Sequence, residues 1–304
     1  EERTKLKFTK DNPDKRYTQV LLAKNKKGYL NLARLSSLGF TEGLYGIYPR
    51  IDKQLVEKHH EGLIATTGGL ASEIPHLILS VGERQAEEAF QWWHGVFKED
   101  FYVELNRHGI PEEERVNETL LKFCKKYGVK YFAANECYYL GKEESNAHDV
   151  LLCIKEGEFK STPIGSGRGY RYGLPNDEFY FKNQQEMKSL FHDLPEAIET
   201  INEIVEKVEA YDLRQNVLLP IYRIPPEFKT EDEYLRHLTY EGAKVRYPEI
   251  TAEIRERLDF ELETIKKTGY PGYFLIVQDF TRKAREMGVS VGPGRGSAAG
   301  SAVA

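Results

Sequence analysis

The stretch Val291-Gly292-Pro293-Gly294-Arg295-Gly296-Ser297-Ala298-Ala299-Gly300-Ser301 concentrates the residue types from which an anion site is made. Glycines at alternate positions 292, 294 and 296 keep side chains out of the way, so several backbone N–H groups can converge on one ligand. The small residues that follow read as the first turns of a helix, whose N-terminus offers unpaired amides and the positive end of its dipole. Arg295 adds a permanent guanidinium suited to two phosphate oxygens at once, and Ser297 adds a hydroxyl donor. A P-loop would need GxxxxGK(S/T), and there is no Lys here. Gly294, Gly296 and Ala299 meet the relaxed dinucleotide pattern GxGxxG/A, but the chain stops before the βαβ unit and acidic residue that fingerprint needs. A tight turn whose glycines serve helix–strand packing is the competing reading.

Other reactive residue types are scattered. His59 and His60 are adjacent and cannot share a helix face, so they read as a solvated pair. His108 follows a candidate strand carrying Glu104 and reads as a hydrogen-bonded structural residue. His148-Asp149 reads as the start or cap of a helix, and Trp92-Trp93 as core and interface rather than a platform for bases. Cys124, Cys137 and Cys153 are odd in number and share no CxxC spacing, which fits small buried thiols in a reducing compartment.

The elements that must position these residues alternate. Candidate strands are 17–22, 62–67, 101–106 and 129–134, each about six residues with β-branched or aromatic enrichment. Amphipathic helices at 83–93 and 112–127 lie between them, and this alternation predicts crossovers and a largely parallel sheet or barrel. Chemistry in such folds sits where strands end. The Gly-rich segment 156–178 predicts a surface excursion, followed by a helix over about 195–210. Pro220, Pro225 and Pro226 then mark a domain boundary near residue 216. Beyond it, Thr230 and Glu233 form a capping box, and Tyr234, Leu235 and Leu238 supply its apolar stripe. A second helix from Thr251 aligns Ile254, Leu258, Leu262 and Ile265, and a third covers about 273–287.

Composition bounds the function class. The 304 residues are 40% hydrophobic and 30% charged, a soluble globular balance rather than a disordered or fibrous one. No apolar run approaches the roughly 20 residues of a membrane helix, and no export signal opens the chain. The net charge of −5 argues against coating nucleic acid through bulk electrostatics. Residues 217–304 carry 13 Lys+Arg and 13 Asp+Glu, and the cations of the third helix read as a solvated face. The opening without Met and the stop at Ser301-Ala302-Val303-Ala304, read as a second helical turn, suggest a piece of a longer polypeptide.

Tyr270-Pro271-Gly272-Tyr273-Phe274-Leu275-Ile276-Val277-Gln278-Asp279-Phe280, followed by the glycine loop, resembles the bacterial replicative DNA polymerase III alpha family, of the C-family DNA polymerases. Leu21-Leu22-Ala23-Lys24-Asn25, Glu61-Gly62-Leu63-Ile64, Arg107-His108-Gly109 and Ala147-His148-Asp149 extend the likeness over essentially the whole chain. The resemblance implies an α/β fold: residues 1–216 form a distorted parallel PHP-type β/α barrel lacking its N-terminal part. Residues 217–304 are then the mostly helical start of a palm. It implies template-directed DNA synthesis from dNTPs with Mg²⁺, with Gly294, Arg295, Gly296 and Ser297 binding the nucleotide. The family's catalytic aspartates belong to a segment absent from this sequence, so no catalytic residue is expected in the chain, nor polymerisation by it alone. Implied partners are primer–template DNA, the sliding clamp, the clamp loader and a proofreading exonuclease, in the cytoplasm, with no membrane.

Metal-binding members of this family carry ligands at four positions that fall within this chain. Here they read Thr18, Gly69, Glu136 and Tyr138, of which only Glu136 is a strong oxygen donor. The expectation is a PHP scaffold without a metal. Its rivals are a metal-dependent PHP phosphoesterase or 3′–5′ exonuclease, and a non-catalytic assembly module.

Overall fold

The computed structural model describes residues 2–9, 15–214, 218–292, 294 and 296–304. They form two compact units, residues 1–212 and 213–304.

The first unit is α/β. Its strands are β1 (Leu21–Ala23), β2 (Leu63–Thr66), β3 (Phe101–Asn106) and β4 (Tyr131–Ala134), in the order β1-β2-β3-β4. Strand β1 runs antiparallel to β2, with Leu22 opposite Ile64, whereas β2–β3 and β3–β4 are parallel. The sheet is therefore mixed: two of its pairings are parallel, as a largely parallel sheet requires, and the antiparallel β1 departs from that expectation because alternation and run length read the same for either strand direction. Strand β1 is also shorter than the pattern 17–22 suggested. The Gln19 side-chain amide takes the Thr66 carbonyl at 2.7 Å, displacing the ladder, and Thr18 makes only an isolated bridge to Ser72.

Among the described residues, eight α-helices accompany this sheet in order: α1 (Lys26–Thr41), α2 (Lys53–His59), α3 (Glu73–Ser80), α4 (Glu83–Phe97), α5 (Pro111–Tyr127), α6 (Ser145–Glu156), α7 (Gln184–Leu190) and α8 (Pro195–Glu206). Every residue of β2 is buried, as in a strand covered on both faces. Leu63, Ala65, Val103 and Leu105 meet Phe90, Trp93, Leu120 and Phe123 on one side, while Ile64 and Tyr102 meet Ile204 on the other. Helix α1 approaches β2 through two glycines: a Cβ on Gly28 would stand 1.9 Å from the Gly62 carbonyl oxygen. The excursion 156–178 is largely exposed but is fastened by Arg171, which is buried and forks onto Asp149 at 2.6 and 2.9 Å. Asp149 is thus an ion-pair partner within α6 rather than a cap.

The second unit is helical: α9 (Glu231–Arg246), α10 (Ala252–Thr268) and α11 (Pro271–Glu286). Leu235, Leu262, Ile265 and Leu275 form its core, along the stripes the sequence predicts. Thr230 accepts from the Glu233 amide at 3.3 Å, but Glu233 answers to the Lys229 amide, one residue before the cap. No helix among the described residues is long and apolar enough to cross a membrane.

Candidate functional site

The glycine loop leads from α11 into a 3-10 turn, Gly296–Gly300. Gly296 has φ +80°, a left-handed conformation that only glycine adopts without strain, whereas Gly292 and Gly294 have open space around them. Gly294, Gly296 and Ser297 are exposed. Pro293 and Arg295 lie outside the described residues. The amides of Gly296 and Ser297 open the turn, ahead of its first internal hydrogen bond. Ser297 borders a cavity of about 310 Å³ that also takes in Arg257, Phe260, Glu261 and Phe274.

The expected second helical turn at Ser301–Ala304 does not form. Glu261 Oε2 instead accepts from Ser301 Oγ at 2.7 Å, the Ala302 amide at 2.9 Å and the Val303 amide at 3.1 Å, drawing these groups out of a helical ladder. Arg257 Nε donates to the other oxygen at 2.6 Å. Burial presses the Glu261 carboxyl toward protonation, but the Ser301, Ala302, Val303 and Arg257 donors prevail and hold its pKa below the ordinary value. Sequence reasoning missed Glu261. Its signal was position: it shares the buried stripe with Leu258, Leu262 and Ile265, where a carboxylate must find donors. Two cations of α11 are paired locally, Arg282 with Asp279 and Glu286 and Lys283 with Glu286.

A second cluster sits at the end of the sheet where β2 and β4 finish and the antiparallel β1 begins. A Cβ on Gly69 would lie 3.5 Å from Glu136 Oε2, and Tyr138 donates its phenol to Glu136 Oε1. Thr18 Oγ1 and Ser72 Oγ share a hydrogen bond of 3.2 Å, and the Ser72 amide donates to the Gly69 carbonyl. The four positions singled out by the resemblance are thereby linked in space. Burial and then the Glu136 contact raise the Tyr138 pKa, so the phenol stays neutral. One carboxylate, two hydroxyls and a bare glycine do not match the imidazole, thiolate and carboxylate set that zinc requires. The described residues contain no group of three or more His, Cys, Asp or Glu side chains placed to hold a metal.

His108 braces this cluster from beneath. Its Nδ1 pairs with Glu113 Oε1 at 2.8 Å and its Nε2 with the Glu136 carbonyl at 3.0 Å. Phe179 stacks on the ring at 4.4 Å. Glu104 lies apart from His108, tied to Thr66 and Asn106. His148 lies beside the Tyr138 and Tyr139 rings. Two expectations need correction. Cys137 is exposed, as are its neighbours Glu136 and Tyr138, in the segment that follows β4. His59 is buried at the end of α2, with its pKa lowered chiefly by that burial, so the histidine pair is not jointly solvated. Trp93 is buried with its indole N–H on Glu73, and Trp92 is half-buried with the Lys53 ammonium over its ring.

Residues 4–108 match the family model of the PHP domain, and residues 233–304 that of the bacterial DNA polymerase III alpha NTPase domain. The chain belongs to the DNA polymerase III alpha family. It is 45% identical over 289 residues to the DNA polymerase III subunit alpha of Borreliella burgdorferi, covering 95% of this chain. The like-named proteins of Treponema pallidum and Aquifex aeolicus are 38% and 39% identical over 95% and 99% of it. The chain spans about a quarter of the length of these relatives: 25%, 24% and 26%.

Proposed function

We propose that the chain is part of a replicative DNA-directed DNA polymerase that extends a primer on primer–template DNA from dNTPs, residues 1–216 supplying a PHP-barrel portion and 217–304 the opening of the palm. Its own part in the reaction is to grip the triphosphate. Gly294, Gly296 and Ser297 present amides and a hydroxyl to phosphate oxygens, and Arg295 neutralises their charge. The observation that carries this reading is the exposed, left-handed Gly296 turn within a segment matching the polymerase family. Mg²⁺ belongs to the chemistry of the whole enzyme; the described residues offer no carboxylate cluster to hold it, so no step is assigned to it here.

The PHP portion acts as scaffold and docking surface, a reading supported by the hydrogen bonds of Thr18 to Ser72 and of Tyr138 to Glu136 beside Gly69. Sliding clamp, clamp loader and proofreading exonuclease are the partners this reading implies, in the cytoplasm. In the full polymerase, Arg295→Ala should raise the KM for dNTP far more than it weakens primer–template binding; equal loss of both would refute the triphosphate role. Stoichiometric zinc or manganese near Glu136, with metal-dependent degradation of single-stranded DNA, would favour the hydrolase rival. Capture of the exonuclease subunit by the chain without polymerisation would mark an assembly module.

A further inference from the structure

Helix α8 ends at Glu206, yet the first unit runs on to Asp212. The irregular residues between are held by a ring of contacts centred on Asp100. Lys207 donates its ammonium to the Glu99 carbonyl and, at 3.1 Å, to Asp100 Oδ1, while Lys24 donates to Asp100 Oδ2. The Lys24 carbonyl accepts from the Glu209 amide at 2.8 Å, so the circuit through Lys24, Asp100 and Lys207 closes on itself. The Lys207 ammonium also stands 4.9 Å from the centre of the Tyr102 ring, and the Tyr211 ring lies 6.2 Å from that of Tyr29. Asp100 is presented by the 3-10 turn Lys98–Asp100, and Lys98 has φ +52°, the one positive φ on a non-glycine residue among those described. Such a backbone is strained and persists only where its surroundings fix it.

We propose that this ring is a charge-operated strap that sets where the chain departs from the first unit. Closed, it holds residues 207–211 against the residue after β1 and the turn before β3. Open, it releases that stretch, adding up to roughly 17 Å of extended chain ahead of the second unit. The side chains of Lys24, Asp100 and Lys207 are 27%, 13% and 24% exposed, so dissolved ions reach their pairs and weaken them. The body of α8 is held differently, by the buried side chains of Ala197 and Ile204. Salt therefore opens the strap while α8 stays docked.

The test is amide hydrogen exchange, read by mass spectrometry on the full polymerase, with Asp100→Ala, Lys207→Met and Lys207→Arg. Peptides covering residues 207–212 should exchange about three- to thirtyfold faster in Asp100→Ala and Lys207→Met, the factor set by losing charge-assisted hydrogen bonds at a partly exposed site. Peptides from 195–204 and from β3 should keep the unaltered protein's rate. Lys207→Arg keeps a donor for Asp100 and should restore most of the protection. In the unaltered protein, raising NaCl from about 0.1 to about 1 M should speed exchange in 207–212 alone, and Lys207→Met should no longer respond to salt. Unchanged exchange of 207–212 in both charge-removing variants overturns the proposal. So does an equal rise across α8 and β3, which would mark Asp100 and Lys207 as general stabilisers of the unit. A segment that ignores salt in the unaltered protein overturns it too. Should Asp100→Ala not fold, Lys207→Met decides alone, because it keeps the side-chain stem and removes only the charge.

Discussion

Removing the Glu113 carboxylate should loosen the platform under Glu136 and Tyr138 at a cost that can be worked out from its contacts. The side chain is 5% exposed and accepts two bonds from one residue, the His108 amide at 2.6 Å and His108 Nδ1–H at 2.8 Å. Glu113→Ala strands the His108 amide and ring donors in a site closed to water. At about 1 to 3 kcal/mol for each buried donor left unmet, the cost is about 3 to 5 kcal/mol. With a urea m-value of about 3 kcal/mol/M for a unit of this size, the unfolding midpoint should fall by about 1 to 1.7 M. Trp92 and Trp93, the only tryptophans in the sequence, both lie on α4, so their fluorescence reports the first unit. Glu114→Ala is the control: the next residue on α5 is exposed and should move the midpoint by less than about 0.5 kcal/mol equivalent. A Glu113→Ala midpoint no lower than that of the control would refute the described burial and with it the bracing of Glu136 through His108.

Three further outcomes follow from the geometry. Cys137 should react with a maleimide in the native chain while Cys124 and Cys153 wait for denaturant, since both are buried and burial pushes the Cys124 thiol up to about 12; mass spectrometry after brief labelling reads this directly. Arg107 hydrogen-bonds Asp193 and lowers its pKa to about 2, so this contact's stabilisation is complete above the unfolded carboxyl's value near 4 and fades as pH falls through the folded value. Asp193→Asn should therefore flatten the acid limb of stability between about pH 4 and about pH 2, read by acid titration of tryptophan fluorescence. Gly28→Ala should destabilise the first unit although Ala favours helices by about 1 kcal/mol, because the new methyl meets backbone rather than a movable side chain; a raised urea midpoint would contradict the close approach.

Much of the architecture was legible because it rests on periodicity. The stripe Leu258, Leu262, Ile265 and the all-apolar run Leu63-Ile64-Ala65 announce a helix face and a buried strand whatever surrounds them. The direction of β1 was not legible, nor was its length, because Gln19 replaces a ladder bond with its side chain and no pattern of apolar residues encodes that. The same limit hides the anchors. Glu112, Glu113 and Glu114 read alike as acidic residues at the start of a helix, yet only the middle one turns inward to His108. Cys137 shows the converse: a small apolar residue lies in an exposed segment with Glu136 and Tyr138, beyond the end of β4 at Ala134.

Glu113 and Glu261 solve one problem in two unrelated units. Each lies on a helix, is buried, and reaches out to the backbone N–H of a segment too irregular to hold itself: His108 after β3 in one case, Ala302 and Val303 after the glycine turn in the other. A buried carboxylate is tolerated only where donors converge on it, so its presence restricts the loop to the few geometries that supply them. An apolar anchor would hold such a segment against the core but leave its amides free to rotate toward water. The carboxylate fixes the direction of the amides themselves. That distinction matters most for the glycine turn, whose proposed task depends on where its remaining N–H groups aim. It also explains why two conspicuous features of the sequence, a lone histidine and a glycine run, each depend on an unremarked glutamate at a helical position: five residues after His108 and 35 before Gly296.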